Sequence, residues 1–349
     1  MKPAYLTDKE LRSQLFPFAE TRSVADIRVG ILTIRQKWEL LLQHAVTVLR
    51  HDAEMPENAI AYAANIIPNK AFITALQQNA EPDYSKVKIL QYPWHIFQLN
   101  DLALREDFEL ITSGRTSAPI PGSVQAINPS AIFIEEGAVL QHCILNAATG
   151  PIYIGKNTEI MEGSCIRGPF ALCEGAVVKM GTRIYGATTI GPYSVAGGEI
   201  KNSVIIGYSN KAHDGYLGDA VLGEWCNLGA GTSNSNLKNT VGEVQVWHQG
   251  SGSYVSAGIK CGLLMGDYSR AAINTSFNTG TVVGICAHVF SNELTPKFIP
   301  SFTWGRHPYE FEKALRDIGN WKKLKNQQLT EAEINQLQHI FGAATKSES

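Results

Sequence analysis

The residues best suited to chemistry crowd into one stretch, Glu199 to Asn236, which reads EIKNSVIIGYSNKAHDGYLGDAVLGEWCNLGAGTSNSN. His213 stands inside it, and an imidazole with an ordinary pKa of about 6.5 accepts a proton at neutral pH, as a general base must. Glu199 and Lys201 add an acid and a cation, and Tyr216, Asn227 and Asn236 add hydrogen-bonding groups. Gly229, next to Ala230, offers a main chain that a ligand can approach closely because glycine has no side chain. Taken singly, each has a bland use. A lone histidine is more often structural than catalytic, a lone lysine is a solvated charge, and asparagine suits tight corners because it tolerates the left-handed turn. Their shared context is what marks them.

The elements that must position these residues announce themselves as a repeat. Ile154, Ile160, Ile166, Leu172, Val178, Ile184 and Ile190 stand six apart, and four residues after each comes Thr158, Ser164, Phe170, Ala176, Thr182, Thr188 and Ser194, small in every case but Phe170. A period of six fits neither a helix at 3.6 nor a strand alternation at 2. It fits a three-sided β-helix, with the aliphatic residue pointing inward and stacking on its counterparts about 4.8 Å above and below. The beat returns, after an interruption, at Leu222 and Leu228 and again at Met265, Ala271, Phe277, Val283 and Val289, with an early, imperfect rung at Ile134 and Ala138. A polar excursion at 234–258 loses the period, and loops of that length in compact domains are usually functional or mobile.

Composition agrees. Glycine is abundant at 31 of 349 residues, and charged residues reach only 18 % against a typical quarter, which favours a turn-rich β architecture over a helical bundle. Hydrophobic content of 44 % excludes general disorder. With 30 Lys and Arg against 32 Asp and Glu, the formal charge of −2 supplies no basic field for nucleic acid or an anionic membrane. Neither a signal-like apolar stretch near the N-terminus nor a run of 18 apolar residues occurs, so a cytoplasmic protein is expected. The six cysteines are scattered singly and are expected to be buried free thiols. No metal site is expected, since His142, His213, His248 and His288 do not form the H-x-x-x-x-H pair that zinc-dependent β-helix proteins use.

The expected architecture is thus mainly β: a left-handed parallel β-helix over 113–298, preceded by an abbreviated α/β segment over 1–112 and followed by a C-terminal helical extension over 299–349. In the first segment, DIRVGILTIRQKWELLLQHAVTVL suggests a strand or turn leading into a helix, IIPNKAFITALQQ a strand, turn and helix, and YPWHIFQLNDLALREDFELIT a further helical stretch. Near the other end, apolar residues from Tyr309 to Lys325 fall at helical spacing, Thr330 and Glu333 form a capping box, and the final KSES is expected to fray.

The stretch from Glu199 to Asn236 resembles the acetyltransferase site of the bifunctional glucosamine-1-phosphate acetyltransferase/N-acetylglucosamine-1-phosphate uridylyltransferase family, whose pattern runs E-x-K-N-S, K-A-x-H or a near relative, Y-L-G-D and N-I-G-A-G-T. The resemblance implies that His213 is the general base that deprotonates a sugar amine attacking acetyl-CoA, and that Lys201, with Glu199 beside it in the motif, neutralises the sugar phosphate. Tyr216 and Asn227 take substrate-side positions, Asn236 bonds the sugar amine, and Gly229 and Ala230 lie against the acceptor or cofactor. It also implies a homotrimer with sites between neighbouring subunits. Two departures stand out: YSVAGG replaces the family's arginine-rich stretch before E-x-K-N-S, and Ile273 stands where a serine is usual.

The N-terminal stretch LFPFAETRSVADIRVGILTIRQKWELLL resembles the start of sugar-1-phosphate nucleotidyltransferases, and YPWHIFQLND the end of the same domain. Here the resemblance nominates Arg22 and Asp26, with Mg²⁺ needed if the domain works. Yet no glycine precedes Gly30, so a phosphate-cradling loop is missing. Three readings follow: an acyl-CoA-dependent sugar acyltransferase, a uridylyl- or thymidylyltransferase that uses its β-helix to trimerise, and a catalytically silent sugar-nucleotide-binding scaffold.

Overall fold

In the computed structural model, which describes residues 4–8, 11–49 and 59–346, the six-residue beat becomes a three-walled parallel β-helix. The first wall stacks strands from Ile132–Ile134 up to Phe298–Ile299, the second from Val139–Leu140 up to Thr303–Trp304, and the third from Gln125–Ile127 up to Tyr216–Gly218. Successive rungs pair parallel and in register, as in Ile154 with Leu172 and Leu172 with Ile190. The aliphatic column points inward: Ile154, Ile160, Ile166, Leu172, Val178, Ile184 and Ile190 share one core. Each such side chain, taken out of water, is worth about 1.5–3 kcal/mol. The small residues that follow them, Thr158, Ser164, Thr182, Thr188 and Ser194, are buried at the corners, while Phe170 fills the core itself.

The interruption in the beat is a shortening of rungs and not a break in the coil. First-wall partners lie 18 residues apart at Ile152, Phe170 and Thr188, but 15 apart from Thr189 to Val204 and 17 apart from Val204 to Val221. Trimmed corners shift the phase of the hexads, so Ile200, Ile205 and Leu217 continue the core without keeping the period.

Two of the three walls are covered by the rest of the chain. On the first wall lies the N-terminal segment, built on a three-stranded parallel sheet in the order Thr47–Leu49, Ala4–Thr7, Ile60–Ala63. Its helices Ile34–Leu42, Lys70–Gln77, His95–Gln98 and Asn100–Thr112 fall where the sequence pattern places them. Thr33 and Gln36 cap the first of these reciprocally, and Asn69 caps the second. The segment meets the coil at Gly30, whose carbonyl accepts from Thr189 Oγ1 at 3.0 Å. Gly30 has φ +83°, and a Cβ there would lie 2.5 Å from an Asp107 carboxylate oxygen, so only glycine fits. That carboxylate caps the Ile31 and Leu32 amides and pairs with the buried Lys37 ammonium.

The excursion folds into an antiparallel hairpin, Gln245–His248 with Ser253–Ser256, that wraps round to the N-terminal segment. Val244, Val246 and Ala257 join that segment's core, and Gln98 Nε2 donates to the Ala257 carbonyl at 3.1 Å. A second tie runs from Arg22 to Asp267 at 2.5 Å and to Glu224 at 3.2 Å, with the Thr21 hydroxyl also donating to Asp267.

The second wall runs past Phe298 to Trp304 before the chain turns into the helices Phe311–Lys323 and Glu331–Lys346. Thr330 and Glu333 form the expected capping box, Glu333 N to Thr330 Oγ1 at 3.3 Å and Thr330 N to Glu333 Oε2 at 2.8 Å. Beyond Lys346 the C-terminal residues lie outside the described ones. The helices bury Arg270 against the Trp321 ring. His288 takes a hydrogen bond from Arg270 at 3.1 Å and stacks on Trp304 at 4.5 Å. Five of the six thiols are buried as expected, but Cys165 is exposed because it points outward from the uncovered third wall.

Two predictions follow from these ties. Asp267→Ala leaves a buried guanidinium without its nearest counter-charge and should cost about 3–5 kcal/mol in urea unfolding; a loss within experimental error would show that the tie does not hold the segment. Burial and the neighbouring Arg270 cation push His288 down to about 4, whereas in the unfolded chain it titrates near about 6.5. The unfolded state then binds the proton first, so the contribution is intact above pH 6.5 and is lost as pH falls toward 4. His288→Phe, which keeps the stacking, should flatten the stability profile over that window.

Candidate functional site

Among the described residues, the third wall carries neither the N-terminal segment nor the C-terminal helices, and its outward side chains form a polar cluster over three rungs. Inward-facing Ile184, Ile200 and Leu217 set the alternation. Outward-facing Arg183, Glu199 and Tyr216 therefore stack in one file, and Tyr185, Lys201 and Gly218 in the next. Between the files, Tyr185 donates its phenol proton to Glu199 at 2.6 Å; within them, Arg183 lies 3.9 Å from the same carboxylate and the Lys201 ammonium sits over the Tyr185 ring at 5.7 Å.

Tyr216 lies across Gly218, where a Cβ would fall 2.2 Å from the phenol oxygen. This posture brings the phenol within 3.2 Å of Asn236 Nδ2. Burial, together with the Asp219 carboxylate, holds the Tyr216 phenol protonated well above the usual range. Asp219 is the hub of this end of the cluster, accepting from Asn236 and, at 2.6 Å, from Asn202. Asn234, the inward residue six after Leu228, exchanges two hydrogen bonds of 2.9 Å with the main chain of Gly218. Asp219, Asn202 and Asn234 were not among the expected site residues. The Y-L-G-D run and the phase of the hexads were the signals that pointed to two of them.

His213 lies at the edge between the second and third walls, exposed to solvent. One rung above, the corner of Ala230 and Gly231 sits over it, with Gly231 N donating to the Asp214 carbonyl at 3.0 Å. Gly229 is pressed against the next rung, where a Cβ would lie 2.5 Å from Ile273 N. Ile273 itself is 68 % exposed on the same edge. Glu199, Lys201, Tyr216 and Asn236 thus share the third wall, with His213, Gly229 and Ala230 along its border. Asn227 stands apart on the second wall, in register with Asn210 and Arg270.

The two N-terminal candidates are engaged elsewhere. Arg22 holds Asp267 and Glu224, and Asp26 pairs with Arg35 at 2.8 Å. After the first strand, where a phosphate-binding loop is expected, the Asp8 carboxylate accepts from Val24 N at 2.9 Å and from Arg12 at 3.4 Å.

Comparison with known proteins bears on both parts of the chain. The family described as sugar nucleotidyl transferase matches residues 4–84 and 57–116. The bifunctional sugar-1-phosphate nucleotidylyltransferase/acetyltransferase of Sulfurisphaera tokodaii is 37 % identical over 93 residues, 26 % of this chain and 23 % of that protein. The bifunctional protein GlmU of Carboxydothermus hydrogenoformans is 26 % identical over 240 residues, 62 % of this chain and 50 % of that protein. The chain is related to the GlmU-like bifunctional transferases. Its matches span from 23 % to 50 % of the length of these two GlmU-like relatives. The UDP-N-acetylglucosamine acyltransferase of Francisella novicida aligns over 67 % of this chain and 86 % of its own at 16 % identity, but a TM-score of 0.29 is too low to carry an argument.

If Asp219 organises the cluster of this GlmU-like chain, Asp219→Ala should lower stability by about 1.5–3 kcal/mol, the value of hydrogen bonds to a buried charge. Thermal unfolding at neutral pH checks it, and an unchanged midpoint would assign the cluster's order to the main chain alone.

Proposed function

We propose that the protein transfers an acetyl group from acetyl-CoA to the amine of an amino-sugar phosphate or a related sugar, with His213 as general base. The observation that carries this reading is the company His213 keeps: an exposed imidazole bordering the wall that the described residues leave uncovered, which carries two cations, a carboxylate, two phenols and an amide. The imidazole removes a proton as the amine nitrogen attacks the thioester carbon; the new C–N bond replaces the C–S bond, and the proton passes to the departing thiolate. Lys201, with Arg183 in the neighbouring file, suits an acceptor phosphate. Tyr216 and Asn236 suit the sugar, and the Gly229–Ala230 corner suits the donor. Asn227, on the covered second wall, fits such a role only across a subunit boundary. A single wall is open on one side, in keeping with a homotrimer in which a neighbouring subunit closes the cleft.

The N-terminal segment is read here as a cover for the first wall and not as a working nucleotidyltransferase. Arg22 and Asp26 are spent in ion pairs and a carboxylate occupies the place of an anion cradle, so no Mg²⁺-dependent step is assigned to it.

Purified protein supplied with acetyl-CoA and amino-sugar phosphates should release coenzyme A. His213→Ala should slow that release by about 10²–10⁴-fold, the usual contribution of a general base. Equal turnover in both proteins would remove His213 from the chemistry. Binding of sugar nucleotide in calorimetry without turnover would favour a silent scaffold.

A further inference from the structure

The inward column of the second wall is apolar at Ile160, Val178 and Ala196 below and at Leu228, Ala271 and Val289 above. Between them, in register with Ala196, stands Lys211. Its side chain is 1 % exposed, and its ammonium donates to the carbonyls of Gly197 at 3.1 Å and His213 at 2.5 Å. Desolvating an ammonium is costly, and a methionine of similar length would fill the same core without that cost. Packing therefore does not account for a lysine here.

The corner itself supplies the account. Along the edge between the second and third walls, successive corners are joined by main-chain hydrogen bonds: Gly163 N to His142 O and Gly181 N to Glu162 O below, Gly231 N to Asp214 O and Asn274 N to Ala230 O above. Among the described residues, no such bond joins the Gly197–Gly198 corner to His213. That lower corner is cut to two glycines, and it lies so close beneath that a Cβ on Gly198, at φ +72°, would fall 2.7 Å from the His213 carbonyl. The ammonium of Lys211, reaching up from inside the prism, takes the place of the missing bond by gripping both carbonyls.

We propose that Lys211 is a positioning residue that anchors the His213 corner from within the coil, an inference that rests on the reading of His213 as the general base. The burial that isolates the ammonium also lowers its pKa to about 8, which leaves it mostly charged at neutral pH.

Lys211→Met tests this. In the variant, kcat for acetyl transfer should fall by about 10- to 100-fold, the scale of a misplaced catalytic group, while KM for donor and acceptor holds. Hydrogen exchange at the amides of 212–216 should quicken, and the thermal midpoint should stay level or rise. Wild-type values of either kcat or exchange in a folded variant overturn the proposal. Should the methionine variant not fold, Lys211→Gln, which keeps an N–H donor, is expected to lie between it and the wild type in both readouts, and wild-type values there overturn the proposal equally. A wild-type protein that transfers no acetyl group sinks the functional reading instead, and exchange alone then decides whether Lys211 holds the corner.

Discussion

Every outward side chain of the candidate site is placed by the inward one beside it. In a strand that contributes three residues to a wall, burying the middle residue turns its two neighbours toward solvent, and a slip of one residue would exchange the faces. Ile184, Ile200 and Leu217 are the middle residues of three stacked rungs. The files of Arg183, Glu199 and Tyr216 and of Tyr185, Lys201 and Gly218 follow from them at the strand spacing. Hydrophobic stacking is thus the constraint on which the chemistry depends. The polar residues need only be of the right type, because their separations are set by the coil.

The same coil decides which surfaces remain open. Outward residues on the first wall, among them Ala171, Thr189, Val204 and Val221, are small or apolar and accept the N-terminal segment. Along the edge before the second wall, Tyr193, Tyr208 and Trp225 stack at 5.2 and 4.5 Å, and Trp225 and Tyr268 pack with the C-terminal helices. The third wall presents Arg167, Arg183, Glu199 and Lys201, charges that such covering elements would have to desolvate without partners. Charge and aromatic content, distributed by wall, explain why cover falls on two sides and leaves the third free. In this arrangement the N-terminal segment, whose sequence matches the sugar nucleotidyl transferase family over residues 4–116, spends Arg22 on Asp267 of the coil.

How much was legible beforehand varies with the physics. The six-residue period from Ile154 to Ile190 was enough to read the coil, because a repeated inward residue is a property of sequence alone. The phase was lost after Ile190 because Gly197 and Gly198 make a two-residue corner, and a count by sixes cannot register a shortened turn. His213, Glu199, Lys201 and Tyr216 were readable as a motif, but Asn227 could not be sorted onto the second wall without the register. Lys211 was invisible for another reason. In the linear sequence a lysine between Asn210 and Ala212 reads as a surface position, and only its placement opposite Ala196 turns it inward. The hairpin was read as a loop with an open role, since its partners at Gln98 and in the N-terminal core lie far away in sequence.

The irregular rungs and the polar cluster coincide, and there is a physical reason for them to do so. Between Ile152 and Thr188 the coil repeats every 18 residues, and corners along this stretch close with main-chain bonds. Between Thr189 and Val221 the rungs contract to 15 and 17, the core admits Lys211, and one rung later Asn234 takes an aliphatic position. Each departure weakens the regular solenoid, and each is met by a specific polar contact: Lys211 with two carbonyls, Asn234 with both main-chain groups of Gly218. A regular prism keeps its edges straight and its corners alike. Trimming one corner to Gly197 and Gly198 and lowering the next onto it shapes the His213 edge, and local violations of pattern compensated in this way are expected where a chain gives up regularity for function.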